Sequence, residues 1–285
     1  MRWIIQNNLF IENKRQELIN TVRRMNVDHV LVNVLPGGVL DVDIEDNKTP
    51  TVINGSVMLT RIAQERGWTP GGFWSDDFTY EKWGVPGSPW AHLLLNKDAV
   101  MGKLSEMDCV QERVFVRPVS DTKSFNGQVM TREQLVLFQQ ESMAGVPHRP
   151  APDTPVLVSP VKKIGQEHRH YIVEGQVITS SRYKLAGQPN FKEGADGVVL
   201  DVVHDAIALW QPARAFVLDT YISGNDIGIV ETGCIGNAGL YEANLPKLVD
   251  AIECLDDPTH PPQGCKISRH HLSDIAGKPR PSGRG

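Results

Sequence analysis

At 285 residues the chain is long enough to bury a sizeable core and to divide into two domains and a tail. Its 40% hydrophobic and 22% charged content are those of an ordinary soluble globular protein, and the net charge of −5 with no basic stripe argues against a nucleic-acid binder. No apolar run is long enough to span a bilayer and Gln6-Asn7-Asn8 breaks the first apolar residues too early for a signal peptide; with the scattered Cys109, Cys234, Cys254 and Cys265 read as reduced thiols, the expected compartment is the cytoplasm.

The N-terminal part, Met1 to about Leu95, alternates strand and helix. Trp3–Gln6 reads as a strand, and Leu18, Ile19, Val22 and Met25 recur at helical spacing over Glu17–Met25. His29–Leu35 reads as a second, apolar strand. Val52–Ile53 leads into Asn54-Gly55-Ser56 and a helix over Val57–Glu65 that Ser56 caps. That junction is either a plain capped turn or a place where an anionic substrate group meets a helix N-terminus, which makes Gly55 and Ser56 candidate substrate residues. Trp68, Phe73, Trp74, Phe78, Tyr80, Trp83 and Trp90 then crowd a Gly- and Pro-containing connector that packs two domains together or lines a cleft.

Beyond the connector, Val114, Phe115 and Val116 form an apolar strand with Arg117 at its end, followed by a polar loop carrying Lys123 and Gly127. A guanidinium fork, an ammonium and loop N–H groups are the donors that phosphate oxygens need, whereas a hairpin with solvated charges is the plainer account of Lys123. Pro155–Val161 is a further strand, and residues 166–184 read as a hairpin turning at Glu174-Gly175. Glu167, Arg169 and Tyr171 alternate, so they share one face of the sheet, and mixed charge on a shared face suggests a ligand surface.

Asp196–Trp210 is expected to be a helix burying Val198, Val199, Val202, Val203, Ile207 and Leu209. Ala215–Tyr221 and Ile227–Val230 read as strands joined by a turn at Ser223–Asp226, which brings Asp219 and Glu231 within reach of one ion. Two carboxylates suit Mg²⁺, which completes its octahedron with water and substrate phosphates; the alternative is a turn aspartate and an exposed edge charge. After Cys254 breakers dominate, and Asp256–Gly285 is expected to be a mobile tail.

In this order the stretches from Asn96 to Cys254 resemble the ATP-grasp superfamily of ATP-dependent ligases. The resemblance implies an α/β (α+β) ATP-grasp fold over residues 96–255, behind an N-terminal α/β pre-ATP-grasp-like domain over residues 1–95. It implies that Arg117 and the loop Pro118–Gly127 form the phosphate-covering element, with arginine in the usual lysine's place, and that Lys123 assists. Val158–Val161 resembles the hinge whose backbone reads adenine, with Ser159 where a carboxylate often stands, and Glu167 is placed to contact the ribose. The family's other lysine corresponds to Lys97 or Lys103. Asp219 and Glu231 match the Mg²⁺ ligands; Gly233 replaces the family's asparagine, so Asn237 becomes the substitute ligand.

Arg117-Pro118, Asp121, Lys123, Glu167-x-Arg169 and Ser180/Tyr183 together resemble a variant bacterial and phage branch. Arg169, Arg182 and Lys184 remain as cations near the same sheet, at least one of them to hold an acceptor carboxylate or the transferring phosphoryl group. The implied cofactors are ATP and Mg²⁺, and the implied partners are small-molecule or peptide carboxylate and amine substrates. The implied reaction joins a carboxylate to an amine, or less often a thiol, through an acylphosphate with release of ADP. An ATP-dependent phosphotransferase and a non-catalytic nucleotide-binding module are the alternatives.

Overall fold

A computed structural model describes residues 1–9, 13–45, 48–85, 87–108, 110–119 and 124–256. Cys109, Asp121, Lys123 and the tail from residue 257 lie outside the described residues. The N-terminal part forms a sheet in the order β2-β1-β5-β6, from β1 (Arg2–Gln6), β2 (Asp28–Val32), β5 (Thr51–Asn54) and β6 (Pro70–Gly71), with β1 parallel to both β2 and β5. The expected strand over 29–35 ends at Val32. Val34–Leu35 (β3) instead folds back on Val39–Leu40 (β4), across a turn in which Gly37 and Gly38 take positive φ. Helix α1 (Asn13–Arg24) begins earlier than its apolar stripe, while α2 (Val57–Glu65) is capped by Ser56, whose hydroxyl accepts from Leu59 N–H as its sequence position implied.

The aromatic connector divides its packing: Trp68 and Phe73 join cores of the N-terminal part, whereas Phe78, Trp90 and the short helix α3 (Tyr80–Trp83) pack against Ile172, Phe216 and Leu218. Trp90 is fully buried, donates its indole N–H to the Ala206 carbonyl at 2.9 Å, and meets Trp210 edge-on at 4.9 Å. Leu93–Leu95 then runs beside the large sheet, where Leu95 N–H donates to the Ile229 carbonyl at 2.9 Å. Gly228 makes that approach possible, since a Cβ there would stand 2.1 Å from the Leu93 carbonyl oxygen.

Two antiparallel sheets make up the rest. The small one, ordered β7-β10-β8-β9, contains β7 (Val100–Lys103), β8 (Arg113–Pro118), β9 (Gln128–Thr131) and β10 (Pro155–Pro160). Helix α4 (Arg132–Met143), opened by a Thr131–Gln134 capping box, covers it over a core of Val114, Val116, Met130, Leu135, Phe138 and Val156. The large sheet, ordered β13-β12-β11-β14-β15, contains β11 (Gln166–Val173), β12 (Gln176–Leu185), β13 (Gln188–Glu193), β14 (Ala215–Ser223) and β15 (Asp226–Cys234).

The two faces of the large sheet have different neighbours, as alternation requires. His168, His170, Ile172, Phe216 and Leu218 lie on the back, where α5 (Gly197–Leu209) and the aromatic connector pack. Helix α5 buries Val199, Val203, Ala206 and Ile207, while Val198 and Leu209 are exposed: a straight helix can turn only one stripe of a continuous apolar run toward the sheet. Tyr171, Val173 and Val217 on the front join Trp3, Ile5 and Leu18 of the N-terminal part and α6 (Leu245–Glu253) in a shared core. The junction is close: a Cβ on Gly236 would fall 2.5 Å from Gly72 Cα. The remaining length of the front face stays open toward the small sheet.

Candidate functional site

The open front of the large sheet and the small sheet enclose a cleft of about 560 Å³. Register decides its floor. Arg169 on β11 pairs with Asp219 on β14, and Asp219 pairs with Glu231 on β15, so the three side chains form a row across neighbouring strands. The Arg169 fork grips Asp219, with Nε to Oδ1 and Nη2 to Oδ2 both at 2.8 Å. Burial opposes the charge of Arg169, yet the Asp219 carboxylate more than offsets it and holds the guanidinium well above its usual range. Arg169 also donates through Nη1 to the Gly239 carbonyl at 3.5 Å, beneath a loop whose Glu242 N–H is fixed to Ser181 Oγ at 3.0 Å.

The roof contributes Arg117. Its Nη1 stands 3.8 Å from Glu231 Oε2 across the cleft, its Nε donates to the Pro118 carbonyl at 3.2 Å, and its guanidinium lies 5.8 Å from the Tyr80 ring centre. Burial pushes the Tyr80 hydroxyl up to about 12, with the Arg117 charge acting the other way. At the far end of the floor Glu167 accepts from the Tyr183 hydroxyl at 2.7 Å and from Lys184 Nζ at 3.0 Å. Val161 and Lys162 form the rim, and Lys162 pairs with Asp98.

The cleft therefore gathers Arg117, Val161, Glu167, Arg169, Lys184, Asp219 and Glu231 of the sequence candidates. Val158 turns into the core of the small sheet and Ser159 is buried with its hydroxyl donating to Asn96 Oδ1 at 3.0 Å, so only their backbone is on offer along β10. Lys97 is not among the residues lining the cleft, and Lys103 pairs with Glu106 on an exposed surface. Ser180 and Arg182 lie on the back face: Ser180 Oγ bonds His170 Nδ1 at 2.8 Å, and Arg182 reaches Asn190 and Gln166. His170 is held neutral, burial pulling it down to about 3. Gly55 and Ser56 sit at the junction of the two parts, where Gly55 N–H donates to the Gly236 carbonyl at 2.9 Å; Asn237 lies on the adjoining turn, outside the cleft lining.

Tyr241 escaped the sequence reading, and Tyr183 entered it only through the family resemblance, with no place in a cleft. Strict alternation puts Tyr183 opposite its neighbour Lys184, but an irregularity in the β11–β12 register lets both line the cleft. Tyr241 belongs to no strand and reaches the floor only through the fixing of its loop.

Among the described residues no group of three or more His, Cys, Asp or Glu side chains gathers as a metal cluster. The donor set fits Mg²⁺ nonetheless. That ion needs one or two carboxylates beside substrate phosphates, and Asp219 and Glu231 are adjacent. A carboxylate has about four lone-pair sites, so the two taken by Arg169 leave Asp219 able to bind more.

The family profile described as ATP-grasp domain, R2K clade family 2, matches residues 97–251, more than half of the chain. The chain belongs to this ATP-grasp family. ATP-grasp ligases use ATP and Mg²⁺ to drive ligation, which agrees with a cleft lined by paired acids and strand-end cations. The structure of this ATP-grasp protein is similar to that of D-cycloserine synthetase DcsG, with a TM-score of 0.56 at 11% identity over 88% of this chain and 98% of that one. It is also similar to the ATP-grasp ligase PsnB complexed with minimal precursor (TM-score 0.53, 11% identity, 89% and 98% of the two chains). The D-alanine–D-alanine ligase from Bacillus anthracis complexed with ATP gives a TM-score of 0.51 at 13% identity, over 89% and 92%. At these identities the likeness is one of fold. No curated protein matches the sequence. No helix among the described residues of the ATP-grasp protein is long and apolar enough to cross a membrane.

Proposed function

We propose that this ATP-grasp protein is an ADP-forming ligase that joins a carboxylate to an amine, or to a thiol, through an acylphosphate. The observation that carries the reading is the charged row Arg169–Asp219–Glu231 facing Arg117 across a cleft wide enough for a nucleotide. In this reading the backbone of Val158–Val161 meets adenine, Glu167 the ribose, and Arg117 with Lys123 the phosphates. Asp219 and Glu231 hold Mg²⁺, with Asn237 as a third ligand or water in its stead; when bound, the ion neutralises phosphate oxygens.

The protein's own work is positioning and charge control. A substrate carboxylate oxygen attacks the γ-phosphorus, the bond to the ADP oxygen breaks, and the amine nitrogen then attacks the acyl carbon, losing a proton as phosphate leaves. Arg169 and Lys184 are the floor cations placed to hold the acceptor carboxylate or the transferring phosphoryl group. Gly55 and Ser56 are the substrate contacts offered by residues 1–95, which we take as a domain separate from residues 96–255. The acceptors are small molecules or peptides, and we take the setting as cytoplasmic.

The test is incubation with ATP, Mg²⁺ and a metabolite extract, followed by mass spectrometry. A condensation product with stoichiometric ADP is the expected result. Phosphorylated product without condensation would place the protein among phosphotransferases, and no nucleotide turnover with any acceptor would remove the enzyme reading.

A further inference from the structure

Tyr183 touches both ends of the cleft. Its side chain is buried, its hydroxyl donates to Glu167 Oε2 at 2.7 Å, and its ring stacks on Tyr241 at 4.9 Å and 12°. The Arg169 guanidinium lies 5.8 Å from the centre of the Tyr183 ring and 5.1 Å from that of Tyr241, while its fork holds Asp219. Burial pushes the Tyr183 hydroxyl far above its ordinary value, so it remains a protonated donor.

A buried hydroxyl needs some partner, and Glu167 would serve for that alone. The division of labour around the carboxylate points further. Lys184 Nζ lies 3.0 Å from one oxygen and 3.3 Å from the other, so it supplies countercharge while straddling both. The tyrosine hydroxyl binds only Oε2, and so it sets the rotation of the carboxylate. Those contacts use three of about four lone-pair sites and leave one on Oε1 for a ligand hydroxyl.

We propose that Tyr183 is a positioning residue: its hydroxyl aims Glu167 at the nucleotide ribose, and its ring, with Tyr241, braces Arg169 against Asp219. One side chain thereby ties ribose recognition to the geometry of the acidic row. The inference rests on the nucleotide reading of the cleft, and its test separates the two.

The experiment is calorimetric titration of ADP, 2′-deoxyADP and 3′-deoxyADP, each with Mg²⁺, into the wild type and the Tyr183→Phe, Tyr183→Leu and Glu167→Gln variants. The wild type is expected to bind ADP about tenfold tighter than the deoxy form that lacks the contacted hydroxyl, the size of one hydrogen bond to a charged group. In Tyr183→Phe, which keeps the ring, ADP affinity falls toward that of the deoxy form while the latter is unchanged. Tyr183→Leu also raises, several-fold, the Mg²⁺ concentration needed for half-maximal binding. A merely structural tyrosine would weaken all three nucleotides alike or leave them alone, and either pattern overturns the proposal. If Glu167→Gln loses ribose discrimination but Tyr183→Phe retains it, the positioning role fails alone. If the wild type binds no ADP, the functional reading falls with it.

Discussion

Arg169 and Asp219 form a two-pronged ion pair at 2.8 Å in the floor of the cleft, and the strand register that pairs them also sets Asp219 beside Glu231. The pair is buried on both sides, with side-chain exposures of 12% and 2%, whereas the Arg117–Glu231 contact is longer and Glu231 is 45% exposed. The two carboxylates of the proposed metal site thus differ in what else they do.

Asp219→Asn should leave a buried guanidinium without its countercharge and lower stability by about 3–5 kcal/mol. Glu231→Gln should change it by less than about 1 kcal/mol, because its pair is partly exposed and loose. Both should abolish turnover. Urea denaturation of the two variants beside an ADP-release assay checks the contrast; equal stability losses would contradict the structural division between them.

Arg117→Ala should weaken nucleotide binding by about 1.5–3 kcal/mol, or one to two decades, as expected for a lost charge-assisted phosphate contact. The strand that carries Arg117 is held by Val114 and Val116 in the small core, so the fold should persist. Wild-type affinity for an ATP analogue in calorimetric titration would remove Arg117 from the site.

Gly228→Ala should destabilise by about 1–3 kcal/mol, since its methyl group meets a backbone oxygen at 2.1 Å and the Leu93–Leu95 segment must move away from β15. Gly197→Ala is the control. Nothing lies within 4 Å of its added Cβ at the start of α5, and a gain of about 0.4–1 kcal/mol is expected. Thermal unfolding of both variants reads the difference in sign.

His170 gives stability a pH dependence. Its two ring nitrogens bond Ser180 and Thr220 at 2.8 and 2.9 Å, and its folded value of about 3 lies below the 6.5 of an exposed histidine. Between these values the unfolded chain binds a proton that the folded chain does not. The stabilisation is therefore complete above pH 6.5 and is lost as pH falls toward 3, at up to about 1.4 kcal/mol per unit. His170→Gln should flatten that slope, as measured by urea denaturation between pH 6.5 and 4.5; an unchanged slope would assign it to other groups.

Local periodicity determined much of this protein. The alternation of Glu167, Arg169 and Tyr171 fixed a common face because successive strand residues point to opposite sides, and the hydroxyl of Ser56 fixed the start of α2 because a helix N-terminus leaves N–H groups to satisfy. The turn at Glu174-Gly175 was legible for a similar reason, and both residues take positive φ. Tertiary structure alone decided which cations meet which acids. Arg182 looked equivalent to Lys184 along the chain, but they lie on opposite faces because one irregularity in the β11–β12 pairing shifts the alternation that a sequence implies. The pairing of Arg169 with Asp219, fifty residues away, follows from strand order and register, and the place of Tyr241 follows from a loop pinned by Ser181 and Thr179. Such contacts depend on where distant strands lie against each other, which is set by the summed burial of both sheet faces and by no residue's neighbours in the chain.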